Sequence, residues 1–233
     1  MPEVALPLAE VLAEARAQLG AAGVPEPARE ALRLWTDLND AAAGRALLDR
    51  SRAVDPAAAA RLMTAVGRRA EGEPLAYVTG RTGFRRLELR IDRRALIPRP
   101  ETEGLVDLVL ERVSGGRVAD LGTGSGCIAL SLATEGRYDA VLAVDSSAVA
   151  LALAGENRQL TGAGVTLVRG DLTAGLAAGS LDALVSNPPY LTEREYAELD
   201  PAVSRWEPRE ALVSGADGLH ATVRLLDEGR RVL

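Results

Sequence analysis

The chain contains no lysine; all 27 of its basic residues are arginine. An exclusive use of one basic residue type reads as nucleotide-composition bias before it reads as function. There is one cysteine, Cys127, so an internal disulfide is excluded and a reducing compartment fits. Aromatic residues make up 3% of the chain, so the core has to be built from Ala, Val and Leu. There is a single histidine, His220, beside no other ligand type in sequence, and no cluster of metal-ligating residues. No stretch approaches the roughly 20 apolar residues that span a bilayer. The first residues, MPEVALPLAEVLAEARAQLG, lack the basic flank and small-residue cleavage site of a secretory signal. From these absences a cytoplasmic protein away from membranes is expected.

What is present is ordinary for a globular protein with a packed interior: 233 residues, 47% of them hydrophobic. The net charge of -6 is unevenly spread. Residues 1–100 hold 16 Arg against 13 acidic residues, and residues 101–233 hold 11 against 20. That balance is not the basic one of a general nucleic-acid binder. Only the segment Arg81 to Arg99, with seven Arg and two acids, is locally basic. It could meet an acidic partner or RNA, or it could be the solvated surface of a hairpin.

Three regions differ in pattern. Up to residue 73 the chain reads as a small helical bundle. Leu8, Leu12, Ala15 and Leu19 recur at helical spacing, with Gly20 and Gly23 ending the segment. A second helix covers PAREALRLWTDLN, a third short one AAAGRALLDR, and Asp55-Pro56 caps a fourth. Residues 74–100 read as a linker containing a β-hairpin, TGFRRLELRID, then a proline-rich loop, RALIPRPETEG. From residue 101 to 233, after a helix ETEGLVDLVLERV, short apolar strands alternate with helices. That implies an α/β, doubly wound parallel sheet with helices on both faces. The last helix is GLHATVRLLDEGRRV. Sheets of this type run on past such a helix, so the C-terminal strands are expected to be missing.

Asp120-Leu-Gly-Thr-Gly-Ser-Gly126 lies between a strand and a helix. Its glycines allow a sharp turn and a close ligand approach, and the helix start offers free N–H groups. Asp145 ends the next strand, where a carboxylate can accept both hydroxyls of a ribose. A dinucleotide or S-adenosylmethionine could bind there. The G-x-G-x-G spacing departs from the dinucleotide fingerprint, and Asp120 suits a ligand carrying an amino group. Asp171, ending the third strand, could accept from an adenine amino group, with Leu172 packing on the ring; a plain turn role is equally open.

Ser186-Asn187-Pro188-Pro189-Tyr190 ends the fourth strand. Two prolines remove two donors and stiffen the chain. The side-chain carbonyl of Asn187 and the main-chain carbonyl of Pro188 can each accept one hydrogen of a planar –NH2 group. Tyr190 can stack on the flat amide or base. This is catalysis by positioning, and it needs no strong base beforehand.

Together PLAYVTGRTGF, LIPRPETE, DLGTGSGCIALSLA, VDSSAVALALAGEN, SNPPY and EPREAL resemble the protein-glutamine N5-methyltransferases of the HemK/PrmC type. The resemblance runs along the whole chain. It implies a Rossmann-like fold with S-adenosylmethionine as cofactor and S-adenosylhomocysteine as product. The implied acceptor is the Gln of the Gly-Gly-Gln motif in bacterial peptide chain release factors, proteins of translation termination. Implied cofactor contacts are Gly122, Thr123, Gly124, Ser125, Gly126, Asp145, Leu172 and Asn187, to which the position of Asp171 after the third strand adds Asp171. Implied substrate contacts are Asn187, Pro188, Pro189, Tyr190, Arg99 and Glu101, with Asn187, Pro188 and Tyr190 catalytic. Thr102 would border the site, and Phe84 would either cover the cofactor or pack in the core. SNPPY is shared with methyltransferases of exocyclic amines in nucleic acid, which remain the rival; the acidic catalytic half disfavours it. No metal, no membrane, no nucleic-acid substrate and a monomer are expected. His220 is expected to have no role, Cys127 to be a small packing residue, Trp35 to be core, and Trp206 to anchor the loop after the site.

Overall fold

The computed structural model describes residues 6–40 and 50–233. The chain divides into two compact units, Met1–Gly80 and Arg81–Leu233. The third helical piece expected around AAAGRALLDR falls on residues 41–49, outside the described residues, apart from its last position.

In the first unit, α1 (Leu8–Ala21) buries Leu8, Val11, Ala15 and Leu19. Steps of three and four place them on one stripe. Leu12 stands beside that stripe, partly buried. Gly20 continues the helix; Gly23, at φ +75°, ends it. The Gly23 N–H donates to the Gly20 carbonyl and the Val24 N–H to the Leu19 carbonyl, a Schellman closure sealed by buried Val24. α2 (Pro27–Leu38) starts on proline, where the missing donor costs nothing. In α3 (Pro56–Ala70) the Asp55 carboxylate accepts from the Ala57 N–H, as a cap should. A short α4 (Leu75–Thr79) lies within the stretch that the sequence pattern assigns to a linker. Ala, Val and Leu dominate the shared core, with Trp35 packed partly buried against it.

The second unit opens with the hairpin β1 (Arg81–Phe84) and β2 (Leu87–Arg90), paired Phe84 to Leu87. A 3-10 turn (Pro100–Thr102) leads into α5 (Glu103–Arg112). Then come β3 (Arg117–Leu121), α6 (Cys127–Glu135), β4 (Ala140–Asp145), α7 (Ala148–Thr161), β5 (Val165–Arg169) and β6 (Ala183–Ser186). Two short helices follow, α8 (Glu193–Ala197) and α9 (Pro201–Ser204), then α10 (His220–Val232). The four strands β3 to β6 are parallel, in the order β5-β4-β3-β6.

Side chains alternate across this sheet with period two. Val118, Val141, Ala143, Val165 and Val185 face one way, onto Val106 of α5 and Ile128 and Leu132 of α6. Ala119, Leu121 and Val144 face the other way, with Val232 of α10. Phe84 is 2% exposed in the first of these cores, so of its two expected roles packing holds. The strand order reverses beside β3. Such a switch point opens a crevice at the carboxyl ends of the strands.

Candidate active site

That crevice is a cavity lined from all four strand ends: Gly122 to Ser125 after β3, Asp145 after β4, Gly170 to Leu172 after β5, and Asn187 and Pro189 after β6. The glycine loop curls over β4, with the Gly122 and Thr123 N–H groups donating to the Val144 carbonyl at 2.8 and 3.0 Å. A Cβ on Gly126 would lie 3.1 Å from Leu130 Cδ1 and 3.3 Å from Ala154 Cβ, so the bare glycine lets α6 and α7 pack. A Cβ on Gly122 would meet nothing within 4 Å. The first glycine faces open cavity, and the third faces packed helices.

Asp145 is built into the loop. Its Oδ2 accepts from the Gly124 N–H at 2.8 Å and its Oδ1 from the Ser147 N–H at 2.9 Å. Each carboxylate oxygen keeps a lone pair for a further donor, which suits two vicinal hydroxyls. Asp120 behaves otherwise than the sequence suggested. It is fully buried behind the loop, where it accepts from the Thr123 hydroxyl at 2.5 Å and the Ala129 N–H at 3.2 Å. Its Oδ1 has no partner. Burial pushes its pKa up to about 7, against the two hydrogen bonds and helped by the Asp145 charge. Asp120 therefore braces the loop from within and does not line the cavity.

Asp171 lies in the lining, its carboxylate paired with Arg224 at 3.0 Å. Leu172 beside it has a left-handed backbone at φ +49°, a conformation costly for a branched side chain. Both the adenine-binding and the turn roles remain compatible with this arrangement.

Asn187 is fixed from both sides. The Ser186 hydroxyl donates to the Leu121 carbonyl at 2.6 Å, tying the end of β6 to the glycine loop. After Asn187 the two prolines restrict the backbone. The Asn187 Nδ2 donates to Thr102 Oγ1 at 3.2 Å. Pro188 and Tyr190 are not part of the cavity lining, and the Tyr190 ring is 64% exposed.

Opposite stands the proline-rich segment. Leu96, Pro98, Arg99 and Thr102 line the cavity, whereas Glu101 is exposed outside the lining. A buried carboxylate, Glu207, holds this segment: it accepts from the Ile97 N–H at 3.0 Å and from Arg99 Nη2 at 2.6 Å. Next to it Trp206 lies under the Arg93 guanidinium, 4.1 Å from the ring centre, and it anchors its loop as expected.

Several contributors escaped the sequence. Asn157, wholly buried in α7, donates to the Arg90 and Ser125 carbonyls and accepts from the Arg90 N–H, so it joins hairpin to glycine loop. An Asn inside a predicted helix was its only signal. Pro208, Ala211, Arg224 and His220 also line the cavity. His220, expected to have no role, stands there at the start of α10. Cys127 is buried against the cavity floor, and burial with the nearby Asp120 charge pushes its thiol up to about 12. The helix start does not activate it.

The residues thus offer a glycine cradle, a carboxylate with two spare lone pairs, and an amide oxygen beside a stiff Pro-Pro turn, all in one cavity. Residues 101–202 match the family described as Methyltransferase small domain, and residues 10–80 the family described as PrmC N-terminal domain. The release factor glutamine methyltransferase of Deinococcus radiodurans is 41% identical over 97% of this chain and 82% of its own length. That of Moorella thermoacetica is 44% identical over 92% of this chain and 77% of its own length. That of Nitratidesulfovibrio vulgaris is 47% identical over 72% of this chain, and the match spans 59% of the relative. Among solved structures, the hMettl16 catalytic domain in complex with MAT2A 3'UTR hairpin 6 superposes with a TM-score of 0.50 at 18% identity, covering 78% of this chain and 68% of that one. That likeness concerns the fold alone.

Proposed function

The chain belongs to the release factor glutamine methyltransferase family, and from that premise we propose that it methylates the side-chain amide nitrogen of the Gln in the Gly-Gly-Gln motif of peptide chain release factors. The cofactor is S-adenosylmethionine, which supplies an electrophilic methyl group on a sulfonium. The observation that carries the proposal is the meeting of Gly122–Gly126, Asp145 and Asn187 in one cavity.

The residues present fit the cofactor. Gly122 leaves room where a side chain would intrude, and Asp145 keeps lone pairs for the ribose hydroxyls. Asp171 and Leu172 both line the cavity, which supports adenine packing on Leu172 and an amino-group contact at Asp171, the carboxylate that Arg224 also pairs. On the acceptor side, Asn187 Oδ1 and the carbonyl of Pro188, which stands between the lining residues Asn187 and Pro189, would accept the two amide hydrogens and so orient the nitrogen lone pair. An amide nitrogen is a weak nucleophile, so hydrogen bonds that favour its tetrahedral form lower the barrier. Tyr190, exposed at the surface, is available to stack on an acceptor presented by a large protein. Arg99 in the cavity lining and the exposed Glu101 two residues on are the further acceptor contacts in this reading. The reaction belongs in the cytoplasm, where release factors work, and asks for no second copy of the chain.

Intact-mass spectrometry of a release factor incubated with the protein and S-adenosylmethionine tests this. One added methyl group is expected. It should vanish when the motif Gln is replaced by Ala and when the enzyme carries Asn187→Ala. Methylation that survives the Gln→Ala replacement, or an unmodified release factor alongside methylated nucleic acid, would overturn the assignment.

A further inference from the structure

The conformation of Asn187 leaves one freedom unsettled by its backbone. Ser186 and the two prolines fix the chain on either side, but an Asn side chain can still rotate, and a half-turn about its last bond exchanges oxygen for nitrogen. An acceptor –NH2 group needs the oxygen. The nitrogen edge, if turned into the cleft, would set donor against donor. Something in the structure has to hold the amide by its nitrogen.

We propose that Thr102 is that positioning residue: its hydroxyl takes the Nδ2 hydrogen of Asn187 and leaves Oδ1 directed to the acceptor. The proposal rests on the reading of Asn187 as the acceptor clamp. Thr102 is 6% exposed, and its Oγ1 lies 3.2 Å from Asn187 Nδ2. Both residues line the cavity. Among the described residues, the Asn187 amide is the side-chain hydrogen-bond partner of the Thr102 hydroxyl.

Thr102 is itself firmly placed. It ends the 3-10 turn Pro100–Thr102, where its N–H donates to the Arg99 carbonyl at 3.0 Å. Arg99 hangs from the buried Glu207 through its guanidinium, and Ile97 from the same carboxylate through its N–H. A hydroxyl can donate as well as accept, but on so braced a turn its oxygen is a fixed point, and the contact it makes there is with the Asn187 nitrogen. The pattern Arg-Pro-Glu-Thr thus supplies a rigid hook for an amide that lies 85 residues further along the chain.

The test compares Thr102→Val and Thr102→Ser with the parent and with Asn187→Ala in one methylation assay, following kcat, the KM for the release factor, cofactor affinity by titration, and the melting temperature. Val keeps the shape and removes the acceptor. It is expected to lower kcat on the order of tenfold to a hundredfold, as a misplaced positioning group does. Cofactor affinity and melting temperature should stay near parental values, and Ser should recover most of the lost kcat. A parental kcat in Thr102→Val, an equal loss in Val and Ser, or a loss confined to cofactor affinity would each overturn the proposal. If Thr102→Val does not fold, Thr102→Ala is scored by the same readouts. Full methylation by Asn187→Ala would sink the reading of Asn187 itself. Loss in Asn187→Ala beside full activity in Thr102→Val would sink only the role given to Thr102.

Discussion

The carboxyl group of Asp120 shows how far a single residue can depart from what its neighbours in sequence suggest. Its place before the glycines was legible, and so was its acidity. Its direction was not, because only the fold buries it behind the loop with one oxygen unpartnered. A pKa raised to about 7 from an unfolded value of about 4 has a definite consequence for stability. Between those values the native state holds a proton that the unfolded chain has released. Stability therefore falls as pH rises from about 4 to about 7, and the loss is complete above the folded pKa. Asp120→Asn keeps an oxygen for Thr123 and Ala129 and removes the charge. Urea denaturation over this pH window should show a smaller decline in the variant than in the parent. Parallel pH curves would mean that Asp120 is not the group responsible. Asp145, Gly122 to Ser125 and Asn187 were each named from sequence and all line the cavity, whereas Gly126, also named, packs α6 against α7. Thr102 and Asn157 act by contacts across 85 and 32 to 67 residues, and no local pattern encodes such a partner.

At the scale of elements, periodicity and capping were informative because each is a local requirement. Asp55-Pro56 opened α3 and Gly23 closed α1, as an N-cap and a left-handed C-terminus demand. The strands β3 to β6 showed as apolar runs because both faces of a parallel sheet are covered. The short helices α4, α8 and α9 did not show, since helices of four or five residues gain little from periodicity and depend on packing. The segment from Trp206 to Ala211, which ends in the 3-10 turn Arg209–Ala211, holds the proline-rich segment in place through Glu207. Glu207→Leu would leave the Ile97 N–H and the Arg99 guanidinium without their acceptor. The expected result in steady-state kinetics is a several-fold higher KM for the release factor, with cofactor affinity little changed. A variant impaired in cofactor binding alone would show that Glu207 supports the other half of the cavity.

Over the whole molecule, the absence of lysine gains a physical sense. The segment Arg81 to Arg99 looked like a basic patch, but the fold spends most of its charge internally. Arg85 meets Glu135 and Asp107, Arg94 meets Asp92 and Glu156, and Arg99 meets Glu207. Pairing of this type depends on position in three dimensions, so composition could not reveal it. Arg85 carries the most. Its side chain is 13% exposed, its backbone has φ +51°, and it binds both oxygens of Glu135 as well as the Glu103 carbonyl. An ammonium cannot reproduce that fork. Arg85→Lys should cost about 1–3 kcal/mol by urea denaturation, the range of a broken buried hydrogen-bonded pair. Arg86→Ala, at an 80% exposed side chain, should stay within about 0.5 kcal/mol. Equal losses at the two positions would indicate a general effect of charge.

The buried sulfur of Cys127 has a use outside catalysis. It is the sole thiol in the chain, it sits at the joint of glycine loop and α6, and protonation keeps it inert while that joint is closed. Its rate of reaction with a thiol reagent therefore clocks the breathing of the cofactor cradle without any label being engineered in. Ligand that settles over the loop has to slow that clock, so the native protein carries its own occupancy gauge.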